Sequence, residues 1–476
     1  MPPITTDAPP APTVLWSVHV LAPYALVEDI DLDKDDIEND DSYFITTTMD
    51  GLKMATEWTP ELRLGIHKAV ATIPHVVQQA WHYIGLETVD RVLDAIQGSE
   101  AVLASQKSDS QQIKTVVLNF TDGMETDGWV GITAIRGLEA RGLAFTGADS
   151  VLYYLDSDKA LIKRHLVESR TPTPGYFDVY TTTEMLVDEK KHGHLEKEAA
   201  HQGGDNTTTE DPNNNNNNNN NKNKEDQHTP EQRAAALEGL ANLTFPLLVK
   251  PANSSSSRGI STKSVVDSPE EAYERAMETK QIWGPVYVEE YITGREYTAL
   301  VSGSARTGIH VYKVLERVFR AQIPERERLL THEMKWGENC YGKNASVAAA
   351  SWWTQICTEP DQTRLQKASK EIYASFGGNG YCRMDLREDL RTGKIYVVDV
   401  NANCSIDEDE DCAMGQILKS SGLTLGQFFA ILMDDAIKVR DNRVAQSTHG
   451  GRIAEKVLMK AAGIVTHVHE CTKVEA

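Results

Sequence analysis

The chain has no uninterrupted run of the ~18 apolar residues that a membrane span requires, and its six cysteines contain no Cys-x-x-Cys spacing. No membrane partner is expected. With all six thiols in the C-terminal half (Cys340, Cys357, Cys382, Cys404, Cys412, Cys471), the pattern points to a reduced, cytoplasmic protein. Positive charge is scarce: 48 Lys+Arg stand against 70 Asp+Glu, a formal net charge of −22 over 476 residues. That balance argues against a general nucleic-acid surface while leaving room for local basic sites that hold phosphate. Val14–Leu26 leans apolar but has no basic segment before it and an acidic run after it, so it reads as a first strand and not as a signal peptide. The Gly-Lys-Ser/Thr order of a Walker A loop is missing, and no Ser/His/Asp or Cys/His arrangement stands out.

What is present is a pair of polar-faced strands. Gly380-Tyr-Cys-Arg383-Met-Asp385-Leu alternates polar with apolar, and Tyr396-Val-Val-Asp399-Val-Asn401-Ala-Asn403 does the same. Arg383 and Asp385 share one face. Asp399, Asn401 and Asn403 share another, with Val398, Val400 and Ala402 expected in the core. The intervening Arg387-Glu-Asp-Leu-Arg-Thr-Gly393 supplies a polar, Gly-ended turn. A hairpin would bring an arginine, two carboxylates and two amides to one surface. Such hard oxygen ligands suit Mg²⁺, which takes one or two carboxylates and fills its shell with water and phosphate oxygens. The competing reading is a solvated strand face; two consecutive strands with matching faces weigh against it.

Along the chain, residues 1–13 are expected to be disordered and 14–155 to form an α/β domain. Its expected strands are Thr13–Val20 and Lys114–Asn119, and its helices Leu62–Ile84 and Asp127–Arg141. A helix is expected over Asp158–Glu168, stopped by Thr171-Pro-Thr-Pro. Residues 190–233 hold nine consecutive asparagines (Asn213–Asn221), a polar tract read as a disordered insertion and a neutral spacer. Structure should resume with a helix from Pro230, the strand Phe245–Lys250, the helix Ser268–Lys280 and the strand Val286–Tyr291. The last unit ends in a helix, Leu425–Val439. In the tail, His467-Val-His469-Glu-Cys471 resembles a short metal cluster but lacks a second ligand pair at zinc spacing.

Two further pieces bear on a nucleotide. Lys250 ends an apolar strand and leads into Pro251-Ala-Asn-Ser-Ser-Ser-Ser257-Arg-Gly259, a positive charge followed by a donor-rich loop suited to phosphate. Then Glu289-Glu290-Tyr-Ile292-Thr-Gly-Arg-Glu296 joins two strand-like runs by a short connector. Its backbone can pair with an adenine edge, and Glu296 can accept ribose hydroxyls. An ordinary hairpin with surface glutamates is the alternative for that piece alone.

Taken in order, Asp158-Lys159, Lys250 with its Ser loop, Glu289-Glu290, Glu296, Lys335, Arg383-Met-Asp385 and Asp399-Val-Asn401 resemble the ATP-grasp superfamily. Within it they are most similar to the D-alanine–D-alanine ligase family, from about Val116 to Leu432. The resemblance implies an ATP-grasp fold: an N-terminal α/β (pre-ATP-grasp) domain at 14–155, a central lid subdomain at 156–292, a C-terminal catalytic subdomain at 293–440, and a tail at 441–476. It implies ATP held between two α+β subdomains. Lys159 and Lys250 would contact phosphates or the adenine edge, while Ser256, Ser257 and Gly259 would form a closing loop. Glu289, Glu290 and Ile292 would read adenine and Glu296 the ribose. Lys335 would reach the γ-phosphate, and Arg383 would stabilise charge on the reacting carboxyl. Two Mg²⁺ ions, replaceable by Mn²⁺, would sit on Asp385, Asp399 and Asn401, and a homodimer is common in the family.

The implied activity joins a small-molecule carboxylate to an amine through an acyl phosphate. The substrate side departs from the family pattern. Its usual Pro-Gly is here Cys404-Ser405, Val14–Pro23 lacks a Gly-rich turn with an acidic residue, and Trp336 stands where a tyrosine is common. The acidic Asp407–Asp411 run lies where the second substrate binds in the family, although such runs are usually solvated. D-alanine is therefore not the expected substrate, and the Asn tract hints at a eukaryotic, fungal-type chain in specialised metabolism. A phosphotransferase or a non-catalytic nucleotide-binding protein are the alternatives.

Overall fold

The computed structural model describes residues 13–26, 45–49, 52–56, 58–105, 111–125, 128–178, 229–252, 254, 257–336, 351–406 and 412–447. The Asn-rich tract, the acidic run 407–411, Ser256 and the tail with His467, His469 and Cys471 lie outside these residues. The described chain divides into two compact units. The first takes in the chain up to Thr173, Gly294–Phe319 and the part beyond Tyr341; the second is Pro174–Thr293 with Arg320–Cys340. These units cut the chain differently from the sequence-based domains, since the Lys159 helix and the 294–319 strands group with the N-terminal part.

In the first unit, β1 (Thr13–Pro23) is followed by β2 (Ala25–Leu26), β3 (Ile45–Met49), β4 (Leu52–Thr56), α1 (Pro60–Ala71), β5 (Val76–Ile84), α2 (Val89–Ser105) and β6 (Gln111–Asn119). A parallel sheet of order β5-β1-β6 forms from them, and β2-β4-β3 is a small antiparallel one. A central parallel strand is covered on both faces, which is why Val18–Ala22 is buried continuously instead of alternating. The helix expected over Leu62–Ile84 is in fact α1 and β5. Pro74 cannot continue a helix, His75 turns the chain at φ 66°, and the run of Val, Trp, Tyr and Ile beyond it favours a strand.

Next come α3 (Ile132–Ala140), α4 (Ser150–Asp156) and α5 (Lys159–Glu168). The α3 helix starts later than the expected Asp127 because Gly128 sits at φ 82° and Gly131 has a non-helical backbone. The Asp158 carboxylate caps α5 by accepting from the Ala160 and Leu161 amides.

The second unit contains β7 (Tyr176–Asp178), α6 (Pro230–Ala241), β8 (Leu247–Pro251), β9 (Val265–Val266), α7 (Pro269–Trp283), β10 (Val286–Glu290) and α8 (His332–Trp336). Its antiparallel sheet runs β7-β10-β8-β9. Leu247, Val249, Val286 and Val288 on one face pack with Ala236 and Leu240 of α6 and Ala272 and Ala276 of α7. Leu248, Lys250, Tyr287 and Glu289 occupy the other face.

The remainder of the first unit holds β11 (Gly294–Ser304), β12 (Gly308–Val311), β13 (Leu315–Phe319), β14 (Trp352–Ile356), α9 (Asp361–Phe376), β15 (Asn379–Asp389), β16 (Lys394–Ala402), α10 (Ala413–Ser420) and α11 (Leu425–Ser447). Its antiparallel sheet has the order β14-β13-β11-β15-β16, with β12 also on β11. Tyr297, Ala299, Val301, Cys382, Met384, Val397, Val400 and Ala402 pack on Leu365, Ile372, Tyr373 and Phe376 of α9. Val398 is a correction. The ladder slips between Asp385 and Leu386, making Val398 the unmatched residue of a bulge, half-exposed, and Val397 takes its place in the core.

Cys357, Cys382 and Cys404 are buried free thiols, and Cys412 is half-buried. Among the described residues, no helix is long and apolar enough to cross a membrane.

Candidate functional site

In the first unit the register assembles a polar face. Arg383 pairs with Asn401 and Asp385 with Asp399 across β15 and β16. On the other side of β15, Thr298 pairs with Asp385 and Glu296 with Arg387, while β13 brings Arg317 opposite Glu296. Directly opposed residues in an antiparallel ladder share a face. This surface therefore carries three arginines, Asp385, Asp399, Glu296 and the Asn401 amide.

The charges are tightly placed. Glu296 is buried between Arg317, which it contacts directly, and Arg387 at 3.2 Å. Asp385 Oδ1 lies 3.8 Å from Arg317 and 4.0 Å from Arg383. Burial works against the charge on Arg383, but Asp385, Cys404 and Asp399 outweigh it and raise its pKa. Its buried Nε donates to nothing among the described residues. The Asn401 amide nitrogen donates to the Arg383 carbonyl at 3.5 Å, which fixes the side chain at the rung.

Lys159, at the start of α5, forms an ion pair with Asp399, Nζ to Oδ1 at 2.5 Å. Two residues stabilise this end of the sheet: Asp156, which sequence reasoning missed, and Asn403, which it placed on the wrong face. Asp156 accepts the Ala402 amide at 2.9 Å, and burial pushes its pKa up to about 7. Asn403, expected on the metal-side face, instead follows the strand at φ 51° and is buried. Its amide oxygen accepts from the Ala148 N–H at 2.6 Å and its nitrogen donates to the Thr121 carbonyl at 3.1 Å. Arg317 was also missed, because its role depends on the β13 register and not on a local motif.

The donor set fits a hard divalent cation. Two carboxylates and one amide oxygen on adjacent rungs match the sparse protein ligation of Mg²⁺. Among the described residues no group of three or more His, Cys, Asp or Glu converges as a full metal cage. The buried donor on Arg383 likewise fits an anion beside that cation.

The second unit holds the remaining candidates. Lys250 and Glu289 form an ion pair of 2.6 Å, with side chains 10% and 2% exposed. The Glu290 side chain is placed differently from that of Glu289. It faces the opposite side of β10, where its carboxylate accepts the Gly175 amide at 3.3 Å and the Thr244 amide at 2.9 Å. Its side chain fastens two loops and does not face the Lys250 side. A Cβ on Gly175 would come within 2.9 Å of that carboxylate. Ile292 is buried at the end of the connector. Ser257 (φ 62°) and Gly259 (φ 74°) both adopt the left-handed conformation, and Pro251 and Trp283 crowd the space a side chain on Gly259 would need. The His332 amide donates to the Ile260 carbonyl at 3.4 Å, which links this loop to the short helix bearing Lys335. The side chain of Trp336 lies outside the described residues.

Residues 219–434 match the family model described as D-ala D-ala ligase C-terminus. The chain is 26% identical over 166 residues to a D-alanine–D-alanine ligase of Acinetobacter baylyi, covering 34% of this chain and 46% of the relative. It is 25% identical over 178 residues to that of Treponema denticola, covering 37% and 44%. It thus spans about half the length of the curated relatives it matches. A solved D-alanine–D-alanine ligase from Bacillus anthracis aligns over 90% of this chain and 100% of its own, at 14% identity and a TM-score of 0.48. The 219–434 segment is thus similar to the C-terminal part of D-alanine–D-alanine ligases.

Proposed function

We propose that this protein is an ATP-dependent ligase that joins a small-molecule carboxylate, such as an amino acid or a derivative, to an amine. The observation that carries the reading is the register that sets Arg383 against Asn401 and Asp385 against Asp399 on one face of the sheet. A binding module has no need of two cation-binding carboxylates beside a buried arginine with an unused donor.

In this reading a carboxylate oxygen attacks the γ-phosphorus of ATP and ADP leaves. An amine nitrogen then attacks the acyl carbon, and phosphate departs with the C–O bonding pair. Arg383 opposes the negative charge that gathers on the reacting carboxyl. Asp385, Asp399 and the Asn401 oxygen would hold Mg²⁺, which when bound supplies positive charge against crowded phosphate oxygens. Lys250, Lys335 and the Ser257–Gly259 loop would bind phosphates, with Lys159 contributing from α5. The buried Glu289 and the Ile292 connector would receive adenine, and Glu296 would offer its remaining lone pairs to ribose. Ser256 keeps its proposed place in the closing loop. Cys404-Ser405 stands where the family usually has Pro-Gly, which supports a substrate other than D-alanine.

The test is ADP release with Mg²⁺-ATP over a panel of amino acids and amines, singly and in pairs, with Asp399→Ala alongside. Release that requires both partners and disappears in the variant is the expected result. Release with one hydroxylated partner and no amide product would make the protein a phosphotransferase. Nucleotide binding without turnover on any pair would leave a binding protein and overturn the reading.

A further inference from the structure

The Lys159 ammonium sits 2.5 Å from Oδ1 of Asp399, one of the two carboxylates on the cation-binding face. This lysine is the first residue of α5, held by the Asp158 cap, so its backbone is fixed and its ammonium is carried on a flexible four-carbon stem. The lysine and aspartate side chains are 19% and 30% exposed, enough for exchange with solvent. The field of Lys159 also reaches Asp156 on the preceding helix, which offers a second nearby anion. A divalent cation takes carboxylate oxygens at about 2.0–2.1 Å. An ammonium at 2.5 Å on the same oxygen would place two cations within a few ångström of each other, where repulsion is strong at any reasonable dielectric.

We propose that Lys159 is a built-in placeholder cation, which holds Asp399 until a divalent metal and a phosphate-bearing nucleotide arrive together. The metal takes the carboxylate and the lysine moves onto phosphate oxygen. This inference rests on the ligase reading for the identity of the site, but it makes a separate claim. Metal and nucleotide must bind with positive coupling, since each provides what the other displaces, and by linkage the coupling is reciprocal. Without nucleotide, the lysine competes with the metal and keeps its affinity low. Arg383 and Arg317 also lie beside Asp385 but at 3.8–4.0 Å, too far to compete for its oxygen in the same way.

The experiment is Mn²⁺ titration of the full chain by electron paramagnetic resonance, with and without ADP, for the wild type, Lys159→Met and Lys159→Arg. Lys159→Met should bind Mn²⁺ about tenfold tighter than wild type in the absence of nucleotide, a difference expected for removing one close cation. Its ADP-induced gain in Mn²⁺ affinity should shrink by a similar factor. Lys159→Arg keeps the charge and should behave like wild type without nucleotide, which separates loss of charge from disturbance of α5. If Lys159→Met binds Mn²⁺ no more tightly than wild type, or keeps the full ADP-induced gain, the placeholder is wrong while the ligase reading stands. If the wild type binds no Mn²⁺ even with ADP, or Asp399→Asn binds it equally well, the cation site itself fails and both proposals fall.

Discussion

Arg383 and Asn401 stand opposite each other on β15 and β16, and the Asn401 amide donates to the Arg383 carbonyl at 3.5 Å. One rung further along, Asp385 faces Asp399, and the next step is where the register slips. The polar residues thus occupy the last regular stretch before the bulge, where strand pairing fixes their separation. A bulge bends its strand and re-aims the residues that follow.

Arg383→Ala should lower kcat for amide formation by about 10²–10³-fold, the usual cost of removing one preorganised donor to developing negative charge. KM for ATP should change little. Arg383→Lys should recover only part of the rate, since an ammonium cannot reproduce the guanidinium's planar set of donors. Steady-state ADP release with amide quantification measures both, and a variant rate within threefold of wild type would remove Arg383 from the chemistry.

Glu296 presents a different case. It is buried against two buried arginines, so Glu296→Ala leaves two guanidinium charges without their carboxylate. The expected loss is about 3–5 kcal/mol of unfolding free energy, as when one partner of a buried pair is removed. Urea melts read it directly, and the double variant with Arg317→Met should lose less than the sum of the single changes.

Glu289 and Glu290 are adjacent and should behave oppositely. Glu290→Gln keeps an acceptor for one loop amide but weakens the charge-assisted hold, with a stability cost of about 1–2 kcal/mol and unchanged nucleotide affinity. Glu289→Gln should alter nucleotide affinity, because it breaks the pair with Lys250. Calorimetric titration with ADP separates the two.

The pH dependence follows from buried groups. Burial, with His82 adding to it, lowers the pKa of His19 from 6.5 to about 4, and the two imidazoles stack with Nδ1 and Nε2 2.9 Å apart. The unfolded chain takes up this proton first as pH falls. The stabilisation is fully present above pH 6.5 and is lost progressively down to about pH 4, on the order of 3 kcal/mol. Asp149 and Asp156 act in the reverse sense, since burial raises them to about 6 and about 7. Their stabilisation is present at low pH and fades as pH rises through those values. The measurement is therefore a difference: the stability gap between wild type and His19→Gln should narrow between pH 6.5 and pH 4.

Much of the site was legible in the sequence because strand alternation is a local signal. Arg383, Asp385, Asp399 and Asn401 could be aligned from period two alone, and the Lys250 strand from its apolar run. The same logic misassigned Val398, because a bulge leaves no mark in hydrophobicity, and it placed Asn403 with the metal-side residues although its left-handed backbone turns it elsewhere. Leu62–Ile84 was read as one helix since Pro74 carried too little weight against a long apolar pattern. Arg317 and Asp156 were invisible for a further reason: each gains its meaning from a strand distant in sequence, and only the three-dimensional register brings them to the site.

The buried thiols give the protein an internal clock of its own opening. Burial pushes Cys357 and Cys404 up to about 12 and Cys382 well above its ordinary value, and only the thiolate reacts with an alkylating reagent. Each labelling event at these three sulfurs therefore records an excursion of the α9 sheet face or the strand end at Asn403, not an encounter at the surface. Site-resolved labelling rates would rank which part of the first unit breathes first, without a single engineered probe.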